Sequence, residues 1–196
     1  MYKKNPDSLL IGGREYRINT DFRVWMQINL RSAGKTEQET AKVVHDFIIS
    51  QGLPNTEESF RAVLDFYSCG KKEENVENGK ERAFDFEKDE DLIFAAFLSQ
   101  YHVNLRTDFL HWWDFMAMFA GLAEEHVIVK IMGIRTMDTS KMPKEQKAHY
   151  DKLKARYSLG AKSRGKRYSS IEERNAAWIA EVQNMNKLKE IAKGVR

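Results

Sequence analysis

Five histidines and one cysteine have the widest chemical reach in this 196-residue chain, and their spacing decides which reactions are open to it. His45, His102, His111, His126 and His149 stand apart from one another. There is no His-Glu-x-x-His pair and no Cys/His cluster, so a metal centre would need ligands assembled from distant segments. His111 and Asp114 are three residues apart, where a carboxylate can orient an imidazole for base work or satisfy a polar ring among apolar neighbours. The structural reading is adopted for this pair. The sequence carries no phosphate-binding glycine loop, no nucleophile elbow and no Gly-x-Gly-x-x-Gly. Cys69 reads as a small core hydrophobe rather than a nucleophile, and a lone cysteine excludes an internal disulfide and fits a reducing compartment. These residues describe a protein that is not an enzyme and takes no cofactor and no metal.

Residues suited to binding are easier to find. Five of the eight methionines fall between Met116 and Met142, close to Trp112, Trp113 and Phe119. Methionine adapts to irregular partner surfaces, although a stripe of methionine and aromatic residues also serves as plain core. Trp112, Trp113, Met116 and Phe119 are therefore the candidate partner-binding residues. A second candidate is the basic run containing Lys162, Arg164, Lys166 and Arg167, followed by Tyr168, which offers phosphate contacts and a ring for stacking. It lacks a recognisable nucleic-acid-binding context, which makes nucleic acid the weaker alternative.

Apolar residues make up 42 % of the chain and aromatics 11 %, as in a folded globular protein. Three prolines and eleven glycines leave long uninterrupted segments, which favours helices. Ser8 to Ile18 holds two strand-like runs around Gly12-Gly13, a pair suited to a two-residue hairpin turn. Asn19 or Thr20 can cap a helix through Ser32, and Thr36 with Glu39 makes a capping box for the next. Asn55 is a suitable cap for a third helix, stopped by Gly70. Lys71 to Arg82 reads as a charged surface loop and Phe84 to Phe86 as a short extended piece at most. Leu92 to Val103 and Asp108 to Leu122 are apolar nearly all round, so they form the expected nucleus and must be covered on most sides. Shorter helices follow over Glu124 to Gly133 and from Met142-Pro143 to Tyr157.

The expected fold is mainly α: an irregular helical bundle with a short N-terminal β-hairpin and a C-terminal tail helix. Residues 1–158 read as a helical core domain, 159–170 as a basic flexible tether and 171–196 as a C-terminal helix with Trp178, Val182, Met185 and Leu188 on one stripe. The charge is uneven: Glu57 to Asp91 carries a net −6 and Lys141 to Arg167 a net +8. Such separation can drive self-association, although lysine-rich stretches are commonly solvated faces. No secretory signal opens the sequence and no apolar window spans a bilayer, so a soluble protein is expected.

The segments Ile18-Asn19-Thr20-Asp21-Phe22-Arg23, Phe66-Tyr67-Ser68-Cys69-Gly70-Lys71, Phe84-Asp85-Phe86, Ala95-Ala96-Phe97, Leu110-His111-Trp112-Trp113-Asp114-Phe115 and Lys130-Ile131-Met132-Gly133-Ile134-Arg135 occur in that order. Together they resemble the bacteriophage Gp-fifteen protein family of siphophages, over roughly Leu10 to Tyr157. The resemblance implies a place in the phage tail module and a tail assembly chaperone. Such a chaperone binds the apolar tape-measure protein while the major tail-tube protein polymerises around it. It would work in the cytoplasm of the bacterial host and be absent from the mature virion. A structural tail component is the further alternative. The family brings no catalytic residues to carry over.

Overall fold

The computed structural model describes residues 4–33, 35–71 and 82–160. Among them are one two-stranded antiparallel sheet and seven helices, so the fold is mainly α with an N-terminal hairpin. β1 (Ser8–Ile11) and β2 (Arg14–Arg17) pair with Ile11 opposite Arg14, leaving Gly12 and Gly13 as the turn. Their φ angles of +58° and +73° are those of a type I′ turn, which is why two glycines stand there. Leu9 and Ile11 are buried while Leu10 between them is exposed, the alternation of a strand with one covered face.

The helices that follow are α1 (Phe22–Ser32), α2 (Glu37–Ser50), α3 (Glu57–Tyr67), α4 (Glu90–Tyr101), α5 (Trp112–Ala120), α6 (Val127–Thr136) and α7 (Lys144–Tyr157). The capping box at α2 is present in full: the Glu39 amide donates to the Thr36 hydroxyl, and the Glu39 carboxylate accepts from the Thr36 amide. Those contacts with Thr36, on its backbone and hydroxyl, hold the Glu39 carboxyl below its ordinary value. Two other caps differ from expectation by one or two residues. Asp21, not Asn19 or Thr20, caps α1 by accepting the Arg23 amide, and Thr56, not Asn55, caps α3 by accepting the Ser59 amide. Side-chain oxygens compete locally for the same free amides, and the chain direction imposed by tertiary pairing decides between neighbours.

The single core domain read over 1–158 contains two compact units. The first holds the hairpin, α1 to α3 and residues 111–113; the second holds the described residues of 82–110 and 114–160. The division falls inside α5, after Trp113. Within the first unit Trp25 is fully buried, with Phe47 and Phe66 at ring-centroid distances of 4.7 and 4.2 Å, and its indole N–H donates to the Asn19 carbonyl at 2.7 Å. The hairpin packs on α3, which gives a marginal element the support it needs.

The second unit has an aromatic core. Phe97 stacks on Phe115 at 5.1 Å, Phe115 lies parallel to Phe119, and Phe84 and Phe86 close over Phe119. Phe84 to Phe86 leads into a turn over 86–89 rather than forming a strand, because burial of Phe86 and amide bonds to the Asp85 carboxylate bend the chain there. Asp89 adds more than helix-dipole compensation. Its carboxylate is buried and held by two parallel bonds from Arg135 at 2.6 and 2.9 Å, and it also accepts the Asp85 amide at 2.9 Å. Arg135 spends its other N–H groups on the carbonyls of Ala83 and Tyr157. One guanidinium therefore joins the turn before α4, the last turn of α6 and the end of α7.

No residue of α7 is fully buried. Polar contacts hold it: Thr139 donates to Asp151, Lys154 to the Met137 carbonyl and Arg135 to the Tyr157 carbonyl. Leu159 then buries its side chain while its carbonyl accepts from Lys88 at 2.7 Å. The tether and tail helix read from the sequence lie beyond Gly160, outside the described residues.

Replacing Arg135 with alanine strands the Asp89 carboxylate in a dry site, and the expected cost is about 3–5 kcal/mol. Arg106→Ala removes an exposed pair with Asp91 and should cost less than about 1 kcal/mol. Urea unfolding reads both, and equal costs for the two variants would contradict the role given to Arg135.

Candidate functional site

The residues singled out in the sequence divide sharply once placed. His111 precedes α5 and forms an isolated antiparallel bridge with Asp21, and the Trp112 amide donates to the Thr20 carbonyl at 2.8 Å. That pairing holds 111 extended and delays the helix to Trp112, although the apolar pattern begins at 108. The His111 ring lies 3.0 Å from the Pro6 carbonyl through Nε2 and 3.0 Å from the Trp113 amide through Nδ1. A carbonyl can only accept and an amide N–H can only donate, so the neutral ring protonated at Nε2 satisfies both contacts. The imidazole acts as a helix cap and a tie to the chain before β1. Asp114, its sequence partner, is exposed.

The two tryptophans complete the same task. Trp112 donates its indole N–H to the Tyr67 carbonyl at 2.9 Å, and Trp113 donates to the Phe66 carbonyl at 2.8 Å. Carbonyls in the last turn of a helix lack an i+4 amide, and the adjacent indoles supply donors there, although the Phe66 carbonyl also accepts the Cys69 amide at 2.9 Å. The chain leaves α3 through Cys69 and Gly70, both at positive φ, and the Trp113 ring lies against Gly70. Trp112 is 1 % exposed and stacks on Tyr67, whereas Trp113 is half-buried. In the second unit Phe119 is buried and Met116 half-buried. Lys162, Arg164, Lys166 and Arg167 lie outside the described residues.

Exposed apolar positions that the sequence does not single out lie on two helices of the second unit. On α4, Ala95 and Leu98 are exposed, Leu98 at 42 %; on α5, Ala117, Ala120 and Gly121 beyond its end are exposed, with Met116 and Met118 half-buried on either flank. These helices are adjacent, since the Tyr101 hydroxyl donates to the Met118 carbonyl and the Gln100 amide to the Gly121 carbonyl. A Cβ at Gly121 would come within 3.2 Å of the Tyr101 hydroxyl, which would have to give by a few tenths of an ångström. Ala95 and Leu98 on α4, and Ala117, Ala120 and Gly121 on and just after α5, are thus apolar positions left exposed, with half-buried Tyr101 beside Gly121. Phe109, 66 % exposed, follows a loop closed by reciprocal Asn104 and Asp108 hydrogen bonds. Periodicity could have located these surface positions only by telling a covered from an uncovered face of α4, and a nearly uniform apolar composition conceals that distinction.

No group of three or more His, Cys, Asp or Glu able to hold a metal occurs among the described residues. Among them, too, no helix is long and apolar enough to cross a membrane. The family described as Bacteriophage Gp15 protein matches residues 4–159, and the chain belongs to that family. No curated protein and no solved structure matches the chain. Membership makes this a bacteriophage protein and points to a structural or assembly role.

Burial pushes the Cys69 thiol up to about 11, against the weaker pull of Lys71. The thiolate is the reactive form, so at pH 8 alkylation by iodoacetamide should run at least about 10-fold slower than for a free thiol. The rate should climb only as the pH nears the raised value. Alkylation at the free-thiol rate at pH 8 would contradict the assignment of Cys69 to the fold.

Proposed function

We propose, on the premise of membership in the Gp15 family, that this chain is a non-catalytic phage tail assembly chaperone that covers apolar helical segments of the tape-measure protein. What supports the reading is the exposed small-residue face of α5, Ala117, Ala120 and Gly121 flanked by half-buried Met116 and Met118, together with exposed Leu98 on α4. Small side chains let a helix approach closely, and flanking methionines adapt to uneven side chains along it. Affinity would come from apolar area: at roughly 25 cal/mol per Å², a few hundred Å² supplies several kcal/mol before the entropy of association is subtracted. That magnitude suits a client that must later be released to the growing tube. The chain would act in the cytoplasm of the bacterial host and leave before the virion is complete.

The candidate quartet from the sequence is refined accordingly. Trp112 and Phe119 support the fold from inside, Met116 flanks the small-residue face of α5, and Trp113 in the first unit is a separate half-buried position to test. The basic alternative for nucleic acid falls on residues outside the description, and no described residue favours it.

Co-expression with the tape-measure protein tests the reading. The client should remain soluble with the unaltered chain and precipitate with Ala117→Glu or Leu98→Lys, both surface changes expected to cost less than about 0.5 kcal/mol of stability. A client equally insoluble with and without the chain would refute the reading.

A further inference from the structure

β1 packs on α3, whereas Arg14, Glu15 and Arg17 of β2 are exposed and Tyr16 between them is half-buried. Ile11 stands opposite Arg14 and Leu9 opposite Tyr16, and the Ile18 amide donates to the Asp7 carbonyl at 3.2 Å. Backbone groups of a strand alternate between its two sides, so Arg14, Tyr16 and Ile18 bond inward to β1 while the amides and carbonyls of Glu15 and Arg17 point outward. Among the described residues no hydrogen bond reaches those outward groups. The free edge ends at Asn19, whose amide donates to the Gln51 side chain at 3.0 Å.

An unpaired edge is a template for another strand, and charges placed along it reject the wrong ones. When the incoming strand is β2 of a second copy, a two-fold axis sets the two antiparallel about one central residue. Centred on Arg14, Glu15 or Arg17, that residue meets its own charge in the other copy, and like charges directly opposite are destabilising. Centred on Tyr16, Glu15 of each copy faces Arg17 of the other. The outward residues then form hydrogen-bonded pairs that exchange both N–H···O bonds, with opposite charges across each pair. Tyr16 meets its own counterpart, an aromatic cross-strand pair, with the Arg14 guanidinium lying over the ring at 5.4 Å. Gly13 of the second copy falls opposite Asn19 and brings no side chain against Gln51.

We propose that two copies of this chain pair through β2, centred on Tyr16, and join their two-stranded sheets into one four-stranded antiparallel sheet. Recognition is main-chain strand addition, with Glu15 and Arg17 as the selective pair. The added strands supply the sheet neighbours that a lone hairpin lacks. The contact is short, so the dimer is a weak one that forms and dissociates with concentration. This inference does not rest on the client reading. Joined to it, a pair of copies offers one long helix two binding surfaces at once, and weak contacts reinforce each other.

Sedimentation of the intact chain over a range of concentrations tests this, with amide exchange by NMR to locate the contact. A monomer and dimer equilibrium is expected, and rising concentration should slow exchange of the Glu15 and Arg17 amides while Arg14 and Tyr16, already bonded within the hairpin, stay unchanged. Glu15→Arg and Arg17→Glu should each weaken the dimer about tenfold or more, since each sets two like-charged pairs across the axis. An equimolar mixture of those two variants restores opposite charges at both pairs and should dimerise as the unaltered chain does. Both substitutions in one chain should do the same. Protection of the α2 and α3 amides shows that each variant is folded. The proposal is overturned if the chain stays monomeric up to about 1 mM, if the dimer persists in both single variants, if the Glu15 and Arg17 amides ignore concentration, or if mixing the variants restores nothing.

Discussion

Burying an indole requires a partner for its N–H, and the first unit is organised around that requirement. Trp25 spends its N–H on Asn19, Trp112 on Tyr67 and Trp113 on Phe66. The last two acceptors are carbonyls at the C-terminus of α3, of which Phe66 also accepts the Cys69 amide at 2.9 Å. His111 adds ties to Pro6 and to the start of α5, and the Trp112 amide adds one to Thr20. A three-residue segment thus joins the entry to the hairpin, the start of α1 and the end of α3. Each bond contributes only about 1 kcal/mol net, and a buried carbonyl left with no donor at all would bear a desolvation penalty of about 1–3 kcal/mol. The fold depends on the set more than on any member.

With the tryptophans spent on the fold, the proposed partner surface lies instead on exposed residues of α4 and α5. There the second unit is fixed by different chemistry, a bidentate Arg135–Asp89 pair and stacked phenylalanines. A buried ion pair is a poor source of net stability but a strict selector of geometry, since any arrangement that separates the charges is heavily penalised. Rigid support beneath and small side chains above give a surface that accepts a helix without rearranging the core. The proposed function thus places binding and folding on different faces of these helices.

What could be read from the sequence was local. Gly12-Gly13, the Thr36 and Glu39 box and the Pro143 helix start depend on residues a few positions apart, and the structure has each of them. The late start of α5 depends on pairing with Asp21, 90 positions away, and the sequence pattern alone places it too early. Nothing local marks Asp89 apart from neighbouring Glu90 and Asp91, because its partner Arg135 is 46 residues on. Trp112 and Trp113 are conspicuous in the sequence, but their types suit a partner surface and an internal clamp equally well, and the α3 carbonyls show that both indoles bond within the fold. The family segments mark the same places: the Leu110 to Phe115 run contains the clamp, and the Lys130 to Arg135 run ends on the ion-pair arginine.

The most direct test of this division of labour is the solvent exchange of the indole N–H protons, followed by NMR on the intact chain. If Trp112 and Trp113 cap α3, both signals should exchange at least about 100-fold more slowly than free indole, as Trp25 should. Exchange at the free rate for Trp112 and Trp113, with Trp25 still protected, would return the pair to the surface and contradict the account.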